Sequence, residues 1–361
     1  MDTGGKMKVI FISTAVMPLP PLSYAGVERL VYQLADGFSK HGIDTYLVAP
    51  TGTRPPKNVK FIDMGVSGWN NNEEQAYINY KPLLEKIIDN DTIISDHSWA
   101  GYPYLMKIAN PKIKMTHTFH ALQPWKVPKQ KILKEEFESG EWHFIGVSKA
   151  LSKRLSVLMN APVDTIYNGV DEKDFKFYEG DRDDYLLFFG VINREKGVDN
   201  FIDIVGTRYR AKIAGEDEHV TDVNFVRGII DYINRETPNI DYYGKVLHSE
   251  KLYLMQKALL MVYPYNPSWF EAFNLAFIEA SMVGTPVLVS ESGSMLELTE
   301  GLPEIFRAKP NNRILAEDLP KIIDELHKNF NYYSRKFREN AMRFTLDKMI
   351  ENYIKYFEKI T

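Results

Sequence analysis

Short apolar runs of strand length recur along the chain, separated by stretches in which apolar residues return every three to four positions. In the first half the strand-like runs are KVIFIS, DTYLVA, TIISD, KIKMTH and HFIGV, with a helical pattern from Val27 to Lys40 between the first two. This is the rhythm of parallel βαβ units. After the polar segment EKDFKFYEGDRDD the rhythm starts again with YLLFFG, RAKIAG, IDYYG, ALLMVYP and PVLVS. The restart predicts two Rossmann-like halves, over residues 1–172 and 173–340. Near the end, Phe337, Met342, Phe344, Met349, Ile350, Tyr353, Ile354 and Phe357 fall at helical spacing and predict a half-buried terminal helix, with residues 341–361 as its last part. Neither half contains a fixed-period repeat.

The stretch SWFEAFNLAFIEASMVGTPVLVS, residues 268–290, carries the densest candidate chemistry. It holds Glu271 and Glu279 eight positions apart in an otherwise apolar run. On a single helix they would be separated by a rise of about 12 Å and a turn of about 80°. That is the reach from a sugar ring to a ribose across a diphosphate, with the unpaired amides of the first helical turn between the two carboxylates. Phe273, Leu275, Ala276, Phe277, Ile278, Ala280 and Met282 predict a buried helix. Gly284 is placed to end it, and Pro286 opens the strand PVLVS. A helix-start charge at Glu271 and a buried ion pair at Glu279 are the structural alternatives.

With EAFNLAFIEA followed by GTPVLV, this stretch resembles the signature of the retaining glycosyltransferases of family 4. Asn274 stands where that family usually has Gly; Asn tolerates positive φ better than other side chains. The resemblance implies a GT-B fold: α/β, with two Rossmann-like doubly wound domains facing across a cleft and a C-terminal helix crossing back to the first. It implies transfer of a hexose-type sugar from a nucleoside diphosphate to an acceptor hydroxyl, with retention and without an enzyme nucleophile. Glu271 would then bind donor sugar hydroxyls, Glu279 the ribose, and Asn274 and Leu275 would lie against the diphosphate.

Other segments resemble the same family. YLLFFGVINREKGVDNF has Gly190 at a strand end, then Arg194, Lys196 and Gly197 at a helix entry. Val191 occupies the usual Arg position, Lys196 matches the family Lys on the pyrophosphate, and Arg194 offers a substitute charge from three residues on. KIAGE, with Gly215 and Glu216, and IDYYGKV, with Gly244 and Val246, put glycine at strand ends near the expected nucleotide. Gly293 and Glu297 match a further Gly and Glu. In the first half the loop PLPPLSYAGVER keeps Gly26 and Glu28 of a Gly-Gly-X-Glu pattern, with Ala25 replacing the first Gly. His120 matches the family His that lies against the transferred sugar, and Gln123 and Trp125 follow it. His97 is past another strand end, and His117 is expected to face elsewhere. Ser148, Lys149, Asn168, Gly169 and Asp171 complete the resemblance. The catalytic candidates are thus Glu271, His120, Lys196 and Arg194. The donor-binding candidates are Gly26, Gly190, Gly215, Val246, Asn274, Leu275 and Glu279.

Length and composition narrow the alternatives. At 361 residues the chain suits two domains, and a net charge of −4 gives no reason to expect nucleic acid as a partner. Without cysteine there is no disulfide, thiolate nucleophile or cysteine metal site, which suits a reducing compartment such as the cytoplasm. The opening MDTGGK reads neither as a signal h-region nor as a span, and no apolar run approaches the ~18 to 20 residues a spanning helix needs. The mixed charge of KVPKQKILKEEF argues against a membrane helix, so any membrane contact is peripheral, at the inner face. HxxxH pairs, GKS or GKT phosphate loops and a GxSxG elbow are all absent, and no metal or other cofactor is expected. The expected partners are a nucleotide sugar and a carbohydrate, lipid-linked or small-molecule acceptor. A GT-B sugar-nucleotide epimerase and a non-catalytic sugar-nucleotide-binding protein are the competing readings.

Overall fold

The computed structural model describes residues 7–21, 25–68, 72–122, 142–218, 220, 222–308 and 316–361. Gln123, Trp125, the segment KVPKQKILKEEF, the opening MDTGGK and the middle of the loop before Ala25 lie outside the described residues. The chain divides into two compact units. The first runs to Gly169 and takes up Leu346–Thr361, and the second comprises Val170–Thr345.

The sheet of the first unit contains β1 (Lys8–Ile12), β2 (Asp44–Ala49), β3 (Lys60–Asp63), β4 (Thr92–Asp96), β5 (Lys114–Phe119), β6 (His143–Gly146) and β7 (Asp164–Thr165), in the order β3-β2-β1-β4-β5-β6-β7. Every pairing is parallel. Central strands are apolar on both faces, as a sheet covered on both sides requires: Val9, Ile10, Phe11 and Ile12 of β1 are fully buried. The strand order reverses between β1 and β4, so the loops leaving these two strands diverge and open a crevice at their carboxyl ends.

The second unit repeats the plan with β8 (Leu186–Phe189), β9 (Ala211–Ala214), β10 (Ile240–Gly244), β11 (Leu260–Tyr263), β12 (Val287–Ser290) and β13 (Arg307–Ala308), in the order β10-β9-β8-β11-β12-β13. Its strands are also parallel, and its switch point lies between β8 and β11.

The C-terminal segment is two helices rather than one. Leu319–Ala341, itself broken by a kink at Asn329 (φ −131°, ψ 27°), stays with the second unit, and Leu346–Ile360 belongs to the first. A short 3-10 turn, Met342–Phe344, and an extended Thr345 (φ −78°, ψ 155°) separate them. Thr345 bridges Val170 in parallel, and the Val170 amide donates to the Phe344 carbonyl at 3.0 Å. In the first unit, Met349, Ile350, Tyr353 and Phe357 form the buried stripe of the last helix. Phe357 meets Phe38 with ring centroids 5.6 Å apart, the Tyr353 hydroxyl is 3.1 Å from that of Thr118, and Ile350 fills the space that a side chain at Gly37 would need.

Candidate functional site

In the second unit, glycines at three adjacent strand ends form a floor without side chains. The Gly190 amide donates to the Ala214 carbonyl at 3.1 Å and the Gly215 amide to that of Gly244 at 2.8 Å. At Gly215 φ is 148°, and an added Cβ would land on the Gly190 carbonyl. The structure thus brings Gly190 and Gly215 together. Val246 lies two residues beyond Gly244, half-buried, and no described contact ties it to them.

The loop after β8 turns back against the loop after β11. Asn193 Oδ1 accepts from the Lys196 amide at 2.9 Å, the Asn266 amide donates to the Glu195 carbonyl at 3.1 Å, and Asn200 Nδ2 donates to the Pro264 carbonyl at 3.1 Å. Gly197, at φ 77°, caps the helix Val198–Val205 so close to Pro264 that a Cβ would collide with its carbonyl oxygen. Backbone cannot yield as a side chain does. Gly197→Ala is therefore expected to destabilise the protein by about 2 kcal/mol or more, seen as a lower urea midpoint at an unchanged slope.

This stitching places the Lys196 ammonium on the Glu271 carboxylate across the β8/β11 switch point. Trp269 Nε1 approaches the same carboxylate oxygen at 3.5 Å, and Lys196 Nζ lies 5.6 Å and 5.7 Å from the ring centroids of Trp269 and Tyr265. Burial first, and then the charge of Glu271, holds the Tyr265 phenol well above its ordinary range, so it stays a neutral hydroxyl. The Glu271 backbone is fixed as well: its amide donates to Ser292 Oγ at 3.1 Å, and its carbonyl accepts from the Ser294 amide at 2.8 Å. Gly293 (φ 52°) allows this approach, since a Cβ there would strike the Glu271 carbonyl.

Two expectations for this stretch change. The helix begins at Leu275, not at Glu271, so Glu271 sits in the preceding loop and only Glu279 is helical. The reason is Asn274: with φ −94° and ψ 97° it is an N-cap, whose Oδ1 accepts from the Phe277 amide at 2.8 Å while Nδ2 donates to the Tyr265 hydroxyl. It therefore needs no positive φ. Ala25 likewise sits at φ −168°, ordinary extended backbone, ahead of the helix Gly26–Lys40. The cap leaves the amides of Leu275 and Ala276 without a hydrogen bond among the described residues. Glu279 is in a buried ion pair, its Oε1 2.8 Å from Lys251 Nζ. Arg194 does not join the Lys196–Glu271 pair; it is exposed, with its guanidinium 4.3 Å from the centroid of the Phe225 ring.

In the first unit Gly26 opens its helix and Glu28 is buried, accepting a 2.5 Å hydrogen bond from Thr14. Burial raises its pKa. His120 and His97 come together, Nε2 of the former 3.0 Å from Nδ1 of the latter. His117 faces elsewhere, 2.7 Å from Asp96. Burial, and next the nearby His117, pushes the pKa of His120 down to about 3 from an ordinary 6.5. A His held neutral in the fold contributes stability above pH 6.5, lost as pH falls toward about 3, because the unfolded chain binds the proton first. Relative to His120→Gln, the wild type should lose stability over this window and not above it, as urea titrations at stepped pH would show.

Trp269, Tyr265, Ser292 and Lys251 were not singled out from the sequence. Trp269 was within sight, two residues before Glu271; the other three become neighbours only through the sheet. Among the described residues no group of three His, Asp or Glu side chains converges as a metal would require, and no helix is long and apolar enough to cross a membrane.

Two parallel Rossmann-like units with these switch-point loops define the GT-B glycosyltransferase architecture. Solved structures agree over nearly the whole chain. Sucrose-phosphate synthase from Thermosynechococcus elongatus superimposes with a TM-score of 0.80 at 16% identity, covering 98% of this chain and 99% of that one. Anabaena HepE, solved with UDP-glucose, gives 0.73 at 15% identity, covering 98% and 100%. In sequence, residues 24–174 match Glycosyltransferase Family 4 and residues 170–342 match Glycosyl transferases group 1. The chain belongs to this glycosyltransferase family. An uncharacterised glycosyltransferase of Methanocaldococcus jannaschii is 28% identical over 185 residues, 43% of each chain. The matched part spans less than half the length of the curated relatives, 46% and 43%.

Proposed function

We propose that the protein transfers a hexose-type sugar from a nucleoside diphosphate to an acceptor hydroxyl, with retention at the anomeric carbon. The observation that carries this reading is the Lys196–Glu271 pair at the switch point, with Glu271 three residues before Asn274, the cap of a helix with two open amides. A departing nucleoside diphosphate develops negative charge. An ammonium and two fixed amides answer that charge without reorganising, and preorganised electrostatics of this kind is a large term in catalysis. Lys196 has three N–H donors; with one on Glu271, two remain for phosphate oxygens. Glu271, its backbone fixed on both sides, takes the donor sugar hydroxyls, and Glu279 takes the ribose. His120, held neutral, supports the sugar by hydrogen bonding rather than by charge. The positive charge comes from Lys196 and the helix amides, so the reading asks for no metal.

The donor solved with HepE makes UDP-glucose the first to try. The acceptor is a glycan, a lipid-linked sugar or a small molecule, in a cytoplasmic setting. The test incubates the protein with UDP-, GDP- and ADP-hexoses and an acceptor extract, following nucleoside diphosphate release and the anomeric configuration of the product by NMR. Acceptor-dependent release with a retained configuration is expected. Donor binding without release across the panel would instead leave a sugar-nucleotide-binding protein, and release of an altered free sugar without acceptor would leave an epimerase.

A further inference from the structure

The helix cap at Asn274 is linked to the carboxylate of Glu271 through a phenol that the proposed chemistry does not use. Asn274 Oδ1 accepts from the Phe277 amide at 2.8 Å, and Nδ2 donates to the Tyr265 hydroxyl oxygen. The side-chain amide cannot be turned the other way, because that would set its NH2 group against the Phe277 N–H, donor against donor. An NH2 group accepts nothing, so Tyr265 receives this hydrogen bond and its own hydrogen is left for another partner. Two acceptors are near: Met295 Sδ at 3.9 Å, and the Glu271 side chain, to which the hydroxyl is hydrogen-bonded. A thioether is a weak acceptor and a carboxylate a strong one. The line therefore has one direction, from Asn274 to Tyr265 to Glu271, and the phenol is satisfied as acceptor and as donor. All three residues are buried, so water competes little for these hydrogen bonds.

Tyr265 differs from the other donors on Glu271. Lys196 is charged, and a diphosphate would compete for it; Trp269 Nε1, at 3.5 Å, is at the limit of a hydrogen bond. Negative charge growing on a departing group draws on Lys196, whereas a neutral phenol whose one hydrogen is committed is not drawn away. Asn274 also caps the helix Leu275–Met282, whose first amides are open. One side chain thus ties together the two parts of the proposed site, the amides for the phosphate and the carboxylate for the sugar.

We infer that Asn274 and Tyr265 are positioning residues that hold the Glu271 carboxylate against the donor sugar while Lys196 answers the leaving diphosphate. The hydrogen-bond line stands apart from the proposed function; its catalytic consequence rests on that reading.

The test labels the full-length protein with tyrosine carrying 13C at Cζ, a resonance that moves downfield as the hydroxyl donates more strongly. Tyr265→Phe identifies the Tyr265 signal by its loss. That signal should move upfield in Glu271→Gln, which weakens the acceptor, and by more than in Met295→Leu; an equal or smaller shift in Glu271→Gln overturns the line. In donor turnover Tyr265→Phe should lower kcat about tenfold with KM little changed, as loss of one hydrogen bond to a charged group implies. Asn274→Ser keeps a neutral capping oxygen but has no NH2 group for Tyr265. Its kcat should fall by the same factor or less, and Tyr265→Phe/Asn274→Ser should be no slower than Tyr265→Phe alone. Wild-type kcat in Tyr265→Phe, or a double variant slower still, overturns the positioning role. The expected Cζ shifts with no donor of the panel turned over would overturn the functional reading and leave the hydrogen-bond line standing.

Discussion

Lys196→Ala is expected to lower donor turnover by about 10²- to 10³-fold, the range for removing one preorganised donor from a developing anion. The loss should fall on kcat more than on KM, since the charge that Lys196 answers grows as the sugar–phosphate bond breaks. The substitution also leaves the carboxylate of Glu271, whose side chain is 6% exposed, with a 3.5 Å contact from Trp269 and the hydroxyl of Tyr265. A destabilisation of about 1–3 kcal/mol should accompany the catalytic loss. Two controls separate these effects. Lys196→Ala/Glu271→Gln removes the stranded charge and should recover much of the stability, but none of the turnover. Lys196→Arg keeps the charge but not the point-like geometry and should recover activity only in part. If Lys196→Ala retained wild-type kcat at saturating donor, the diphosphate would not sit where the proposed function requires.

How much of this was legible in the chain depended on whether the signal was local. The ten strand-like runs of the apolar pattern each overlap a strand of the structure, the central ones because a parallel strand buried on both faces needs continuous apolar residues. β3, β7 and β13 were not read: they are edge or near-edge pieces of four, two and two residues, too short or too polar to show a pattern. The break between the last two helices was also missed, because Met342 and Phe344 keep helical spacing while the backbone at Thr345 turns extended to bridge Val170. Within the site, Lys196 and Glu271 were identified as separate motif residues, and their direct contact needed the two loops to be stitched by Asn266 and Asn200. Asn274 stands where a Gly is expected, which points to φ, whereas the structure uses its side chain as a helix cap. Arg194 shows the reverse case. Its charge and spacing suit a phosphate contact, but a guanidinium can equally lie across an aromatic ring, and Phe225, on the helix Val223–Glu236, is the ring it meets.

Breaking the Lys251–Glu279 pair should give the largest stability effect of any single substitution here. Both side chains are about nine-tenths buried, at 11% and 10% exposure, and Lys251 Nζ also lies 4.9 Å from the ring centroid of Phe175. Lys251→Met strands a carboxylate inside the fold and is expected to destabilise by about 3–5 kcal/mol; Glu279→Leu strands the ammonium with a similar result. The double variant Lys251→Met/Glu279→Leu should lie far closer to wild type, because well-packed apolar replacements of a buried ion pair are often neutral or stabilising. That recovery, measured as a double-mutant cycle in urea, would assign the structural part of the pair. The same double variant also tests the ribose assignment, since it folds without Glu279. If Glu279 holds ribose hydroxyls, the variant should be stable yet bind donor about tenfold more weakly or worse, with the deficit shrinking for a 2′,3′-dideoxy donor that has nothing to offer the carboxylate. Unchanged donor affinity in a stable double variant would leave Glu279 a purely structural partner of Lys251. The ion pair and the ligand contact do not compete in principle, because the contact to Lys251 uses Oε1 and a carboxylate has further acceptor positions on its second oxygen. Lys251 would then orient Glu279 for the ribose while neutralising a charge that the apolar helix Leu275–Met282 could not otherwise accommodate.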